Sequence, residues 1–149
     1  MSEKVELYQR FAACHDATTP AEIGRICGVS RQTASRWKMG ENPIPWKYLK
    51  MTVVTHGVNW DWLMDGKGSQ FRQSAKSKRY RALNRQAVNN RFLSLFPRKS
   101  QAGIAEELKV TQTSVHRWQK YKAMVSREAL KYAVDTKATT WEWLLEGRK

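Results

Sequence analysis

Arg31, Gln32 and Arg36 follow Ser30 in one short stretch of the chain, and Gln112, Thr113 and Arg117 follow Thr111 in another. The second triad stands 81 positions after the first, residue for residue. A guanidinium fork can donate two parallel hydrogen bonds to the paired acceptors of a guanine edge, and a glutamine amide can grip an adenine in the same two-point way. That chemistry requires side chains lifted clear of their own domain on one face of a helix. Helical spacing supplies the face. Ala34 and Trp37 are i, i+3 neighbours and should point to a core, as should Val115 and Trp118. Arg31, Gln32 and Arg36 are then left to face outward, with Gln112, Thr113 and Arg117 in the second stretch. On an isolated helix such residues would only solvate an exposed face; with the motif duplicated and the charge basic, these six are the expected base-reading residues.

The 81-residue offset holds far beyond the triads. Ile23-Gly24 matches Ile104-Ala105, Arg36-Trp37 matches Arg117-Trp118, Trp60-Asp61-Trp62-Leu63 matches Trp141-Glu142-Trp143-Leu144, and Gly66 matches Gly147. No gap is needed from residue 23 onward, and paired tryptophans rarely fall in register by chance. One domain is used twice, over residues 1–66 and 82–149, with residues 67–81 as a flexible basic linker. From Gly66 through Ala105 there are ten Lys or Arg and no acidic residue. Such a stretch reads equally as a solvated, self-repelling tether or as a segment that lies along phosphates.

The elements that must position the triads are all helices; apolar periodicity near 3.6 recurs and no β-branched clusters stand between turns. In the first copy helices are expected over about 2–14, from the Thr19 cap to Gly28, from the Ser30 cap to about Met39, over 46–56, and over 60–64. In the second they are expected over about 81–96, 101–108, 111–120, 127–137 and 141–146. Thr19, Pro20 and Glu22 make a capping box, and Gly28 supplies a left-handed stop. Lys109 stands where Gly28 stands, so the second turn is either strained by about 1 kcal/mol or differently shaped. Within each Trp-x-Trp pair one ring should close its own core, because residues two apart cannot share a helix face. Trp46 has no tryptophan counterpart in the second copy, where Arg127 stands.

Thr19 to Gly40, with Ile23-Gly24, Gly28-Val29-Ser30 and Arg36-Trp37, resembles the helix-turn-helix of the lambda-repressor/Cro-like (XRE-type) family. Val110 and Ala105 take the places of Val29 and Gly24 in the second copy. The stretches Gly57 to Gly66 and Thr140 to Gly147 resemble the last helix of phage-type repressor DNA-binding domains. The resemblance implies two tandem five-helix domains, a small residue at Gly24 for close helix crossing, a buried turn residue at Val29, and a second motif helix that enters the major groove. It implies phosphate contacts around each motif. Thr19, Ser30, Ser35 and Lys38 are the candidates in the first copy, and Ser100, Thr111, His116 and Lys120 in the second. Each also has a plain capping or solvated reading.

Bulk properties agree with an anionic partner. The chain has 149 residues and a formal net charge of +14. No apolar run approaches the roughly 18 residues of a spanning helix, and the first residues do not read as a signal peptide, so a cytoplasmic, non-membrane protein is expected. Cys14 and Cys27 lie outside CxxC spacing among apolar residues and read as buried reduced thiols. The three His have no partners at metal-ligand spacing. No paired carboxylates, Gly-rich phosphate loop or nucleophile constellation suggests an enzyme, and no cofactor or small-molecule ligand is implied.

The expected function is therefore a sequence-specific regulator of duplex DNA, a repressor of a phage or mobile element, with two unlike heads reading a bipartite operator. Homodimerisation and a regulatory protein partner stay open. The rival readings are an antitoxin-like autoregulator bound to a partner protein and a non-specific architectural DNA-binding protein.

Overall fold

The computed structural model describes residues 2–71 and 83–148, and among these the protein is all-α, with ten helices. The chain divides into two compact units, Met1–Ala82 and Leu83–Lys149. Unit 1 holds α1 (Glu3–Cys14), α2 (Pro20–Cys27), α3 (Arg31–Lys38), α4 (Trp46–His56) and α5 (Trp60–Asp65). Unit 2 holds α6 (Arg85–Leu93), α7 (Gln101–Leu108), α8 (Gln112–Gln119), α9 (Arg127–Thr136) and α10 (Trp141–Glu146). Residues 72–81 of the expected linker lie outside the described residues.

Short polar residues start most of these helices because their oxygens accept an otherwise orphaned first-turn amide. Ser2, Thr19, Ser30, Asn84, Ser100, Thr111, Ser126 and Thr140 all do so. Glu22 reaches back to the amide and hydroxyl of Thr18, one residue short of the box expected with Thr19. The first helix of unit 2 is shorter than its expected 81–96 span. It begins after the Asn84 cap and ends at Leu93, where the chain tightens through Leu95 N–H to Phe92 O and Phe96 N–H to Leu93 O. The residue before Pro97 cannot stay helical, and Phe96 instead folds onto Phe92, 5.1 Å between ring centroids.

Both units bury the same positions of the repeat. Phe11, Ile23, Ala34, Trp37, Leu49, Trp60 and Leu63 form the core of unit 1, and Phe92, Ile104, Val115, Trp118, Leu130, Trp141 and Leu144 that of unit 2. Trp37 meets Phe11 edge-on at 6.4 Å, and Trp118 meets Phe92 edge-on at 5.8 Å. Trp60 and Trp141 close the cores while Trp62 and Trp143 stay half-buried, as residues two apart must. Cys14 and Cys27 are free but half-buried, less enclosed than expected. Desolvation pushes the Cys14 thiol up to about 11 and raises Cys27, so both stay protonated.

Past Gly66 the chain folds back on its own unit. Asn59 Nδ2 donates to the carbonyls of Ser69 (2.7 Å) and Phe71 (3.1 Å), and its amide donates to Gln70 O. The first residues of the expected linker are thus clasped to unit 1.

Candidate nucleic-acid interface

Two helices joined by a tight turn build each candidate surface. In unit 1, Gly28 takes a left-handed conformation (φ 71°), and Val29 N–H bonds Gly24 O at 2.9 Å. Gly24 lets α2 and α3 approach closely: a Cβ on it would lie 2.8 Å from the Val29 carbonyl oxygen, so this pair would have to shift to accept the alanine that unit 2 carries as Ala105. In unit 2, Lys109 adopts the same left-handed turn (φ 58°) and Val110 N–H bonds Ala105 O at 3.0 Å. Of the two options for this turn, the strained one holds, with its shape kept. Val29 and Val110 are half-buried, not the fully buried turn residues the resemblance implies, because each starts the exposed corner between two helices.

Across that turn, α3 buries Ala34 and Trp37 and leaves Arg31, Gln32, Arg36 and Lys38 exposed. α8 buries Val115 and Trp118 and leaves Gln112, Thr113, His116 and Arg117 exposed, with Lys120 exposed as its C-cap. Each base-reading candidate therefore stands on the solvent side of its helix. Arg31, Arg36 and Arg117 have no ion-pair partner among the described residues.

The hydroxyl candidates are engaged locally. The oxygens of Thr19, Ser30, Ser100 and Thr111 cap α2, α3, α7 and α8, accepting from Glu22, Thr33, Gly103 and Ser114 amides. Ser30 and Thr111 also meet Thr33 and Ser114 hydroxyls at 2.9 Å. Ser35 is half-buried.

Two sets of residues escaped sequence reading. Gln101, the first residue of α7, donates to Gln119 Oε1 at 2.6 Å and makes longer contacts with His116 Nδ1 (3.3 Å) and Gln112 Nε2 (3.5 Å). It ties one edge of the exposed Gln112 amide to its own domain; the counterpart in unit 1 is Pro20, which has no such side chain. The second set is Arg10 and Arg91. Arg10 donates from α1 to the carbonyls of Leu63 (2.7 Å) and Met64 (2.8 Å), and Arg91 donates from α6 to Leu144 O (2.9 Å). Both guanidiniums are lowered by desolvation. They anchor the last helix of each unit through carbonyls that have no intrahelical partner. The signal lies in the sequence: Arg10-Phe11 and Arg91-Phe92 keep the 81-residue offset upstream of residue 23.

Among the described residues no group of three His, Cys, Asp or Glu could hold a metal ion, and no helix is long and apolar enough to cross a membrane. No family model matches the chain, and neither a curated protein nor a solved structure matches it.

Proposed function

We propose that the chain is a tandem helix-turn-helix protein that binds specific duplex DNA and represses transcription in a phage or mobile element. One observation carries the reading: a helix pair joined by a left-handed turn occurs twice in register, and each time the second helix exposes Arg, Gln or Thr side chains opposite a buried tryptophan. A helix so presented fits the major groove, and its outward fork and amide donors match base-edge acceptors. The heads differ at residues 31 and 112, and at 32 and 113, so they read different half-sites.

The net charge of +14 by itself equally favours a non-specific architectural role. Selection of binding sites from random duplex DNA at physiological salt separates the two. A bipartite consensus supports the reading, whereas a flat pool with a steep salt dependence replaces it by the architectural one.

A further inference from the structure

We infer that the two units share the holding of DNA unequally: both read bases, but unit 2 supplies most of the sequence-independent grip on phosphates, while unit 1 concentrates cations on the reading helix. This rests on the DNA-binding reading above and assigns its parts. Between Ser2 and Phe71, nine Lys or Arg face seven Asp or Glu. Three of those cations, Arg31, Arg36 and Lys38, sit on α3, which has no acidic residue. Outside α3, residues 2–71 therefore hold six Lys or Arg against seven Asp or Glu, so within that span a polyanion is drawn chiefly to α3. Between Leu83 and Arg148, twelve Lys or Arg face six Asp or Glu, yet α8 holds only Arg117 as a fixed cation.

The surplus of unit 2 lies at the ends of α7 and α8. Arg98 precedes α7, Lys109 forms the turn, Lys120 caps α8, and Lys122 follows, its amide bonded to Arg117 O. All four are exposed, and none is ion-paired among the described residues. Their counterparts in unit 1 are Ala17, Gly28, Met39 and Glu41, with no cation among them. The reverse exchange occurs on the helix itself, where Arg31 and Lys38 become Gln112 and Gln119. At the reading position Arg31 has given way to an uncharged Gln112, while cations have been added at the helix ends and the turn, where backbone phosphates are in reach. Backbone phosphates are the same in every sequence, so cations there add affinity and salt dependence without preference.

The test uses the full chain and two duplexes, one of mixed sequence and one recovered by selection, titrated from about 50 to about 200 mM salt. One variant combines Arg98→Gln, Lys109→Gln, Lys120→Gln and Lys122→Gln; the other is Arg31→Gln. The first should flatten the slope of log affinity against log salt by about 3 and weaken both duplexes alike, by roughly 100-fold at the lower salt. The second should cut the preference for the selected duplex by about 10-fold or more, with a slope change of about 1 at most. Should the fourfold variant unfold, Arg98→Gln with Lys122→Gln, both outside the helices, repeats the test at about half the slope change. The division is overturned if the α3 variant flattens the mixed-sequence slope more than the rim variant does, or if the rim variant erases the preference. A wild-type chain that binds no duplex, or binds both alike, instead removes the DNA reading, and this assignment with it.

Discussion

Unit 1 turns its chain with glycine at three left-handed corners where unit 2 uses side chains. Gly28, Gly40 and Gly57 have φ of 71°, 75° and 63°; their counterparts Lys109, Tyr121 and Ala138 have 58°, 57° and 53°. An L-residue there costs roughly 1–2 kcal/mol. The corners nonetheless keep their shape, so the packing of the flanking helices dictates the turn and glycine only lowers its cost. Unit 2 offsets part of the strain through the side chains it gains. Tyr121 OH donates to Asn90 Oδ1 at 2.6 Å, and Arg85 donates to Tyr121 O.

The largest effect expected from this contrast lies behind the same corner. Asn89 is fully buried in α6; it donates to Trp118 O (3.0 Å) and Ala123 O (2.9 Å) and accepts from Val125 N–H (3.0 Å). Tyr8 occupies the matching place in unit 1 and mainly fills space. Asn89→Ala strands the Ala123 carbonyl and the Val125 amide, since Trp118 O keeps the Tyr121 N–H, and should cost unit 2 about 2–3 kcal/mol, whereas Tyr8→Phe should cost unit 1 under about 1 kcal/mol. Hydrogen exchange resolved by residue reads both. Similar losses from the two substitutions would mean that the loop after α8 is held by something other than Asn89.

Next in size are the reading positions. Arg31→Ala and Gln112→Ala should each weaken binding to a selected duplex by about 2 kcal/mol and relax preference at different base pairs. If each weakened every sequence equally, neither residue would set specificity, and the contrast between heads would reduce to charge.

The units also part at the corner between first and fourth helices. In unit 1, His15 Nε2 lies 2.9 Å from Thr52 Oγ1, whose own proton goes to Tyr48 O. His15 Nε2 therefore donates, and His15 Nδ1 accepts from His56 Nε2 at 3.1 Å. A further proton on Nδ1 breaks that contact. Desolvation, then the neighbouring His56, holds His15 below its usual range. A depressed histidine contributes stability that is present above the unfolded value, about 6.5, and is lost as pH falls through the folded one. The counterparts are Phe96 and Lys137, with the ammonium 4.8 Å from the ring centroid. Lys137 also pairs with Glu107 at 2.9 Å, and hydrogen bonds from Lys99, Lys137 and Tyr132 hold that carboxyl down to about 2. Its contribution is present above the ordinary carboxylate value, about 4.3, and is lost as pH falls toward the folded value. Acid should thus loosen unit 1 first, as pH falls below about 6.5, while unit 2 holds. His15→Phe with His56→Lys should remove that step from an NMR-monitored titration. Simultaneous loosening of both units would break the contrast.

The repeat made most of the fold legible. Rare tryptophans in register fixed the helix count and the buried faces, because large rings find few places in cores this thin. Thr19, Ser30 and Thr111 marked helix starts through a local bond that sequence spacing reveals. Contacts made across a unit were not legible. Nothing near Gln101 announces Gln119, eighteen residues away, and nothing near His15 announces His56. The clasp of Asn59 on Ser69 and Phe71 is hidden for a related reason: a Gly- and Ser-rich segment reads as linker unless its backbone partner is known. Lys109 could be read only as an alternative, because local propensity opposes a conformation that tertiary packing imposes.

That last position gives the smallest test and the cleanest. A Cβ on Gly28 would meet nothing within 4 Å, so Gly28→Ala adds no clash and sets backbone strain against a stiffer unfolded chain. It should cost unit 1 about 1 kcal/mol, read as faster exchange of α2 and α3 amides without DNA. Lys109→Gly relieves the same strain in unit 2 but frees more of the unfolded backbone, so its gain should be about 0.5 kcal/mol. Opposite signs at equivalent turns are the point. If Lys109→Gly destabilised unit 2, the lysine side chain itself would be holding the turn, and the shared geometry would have two different causes.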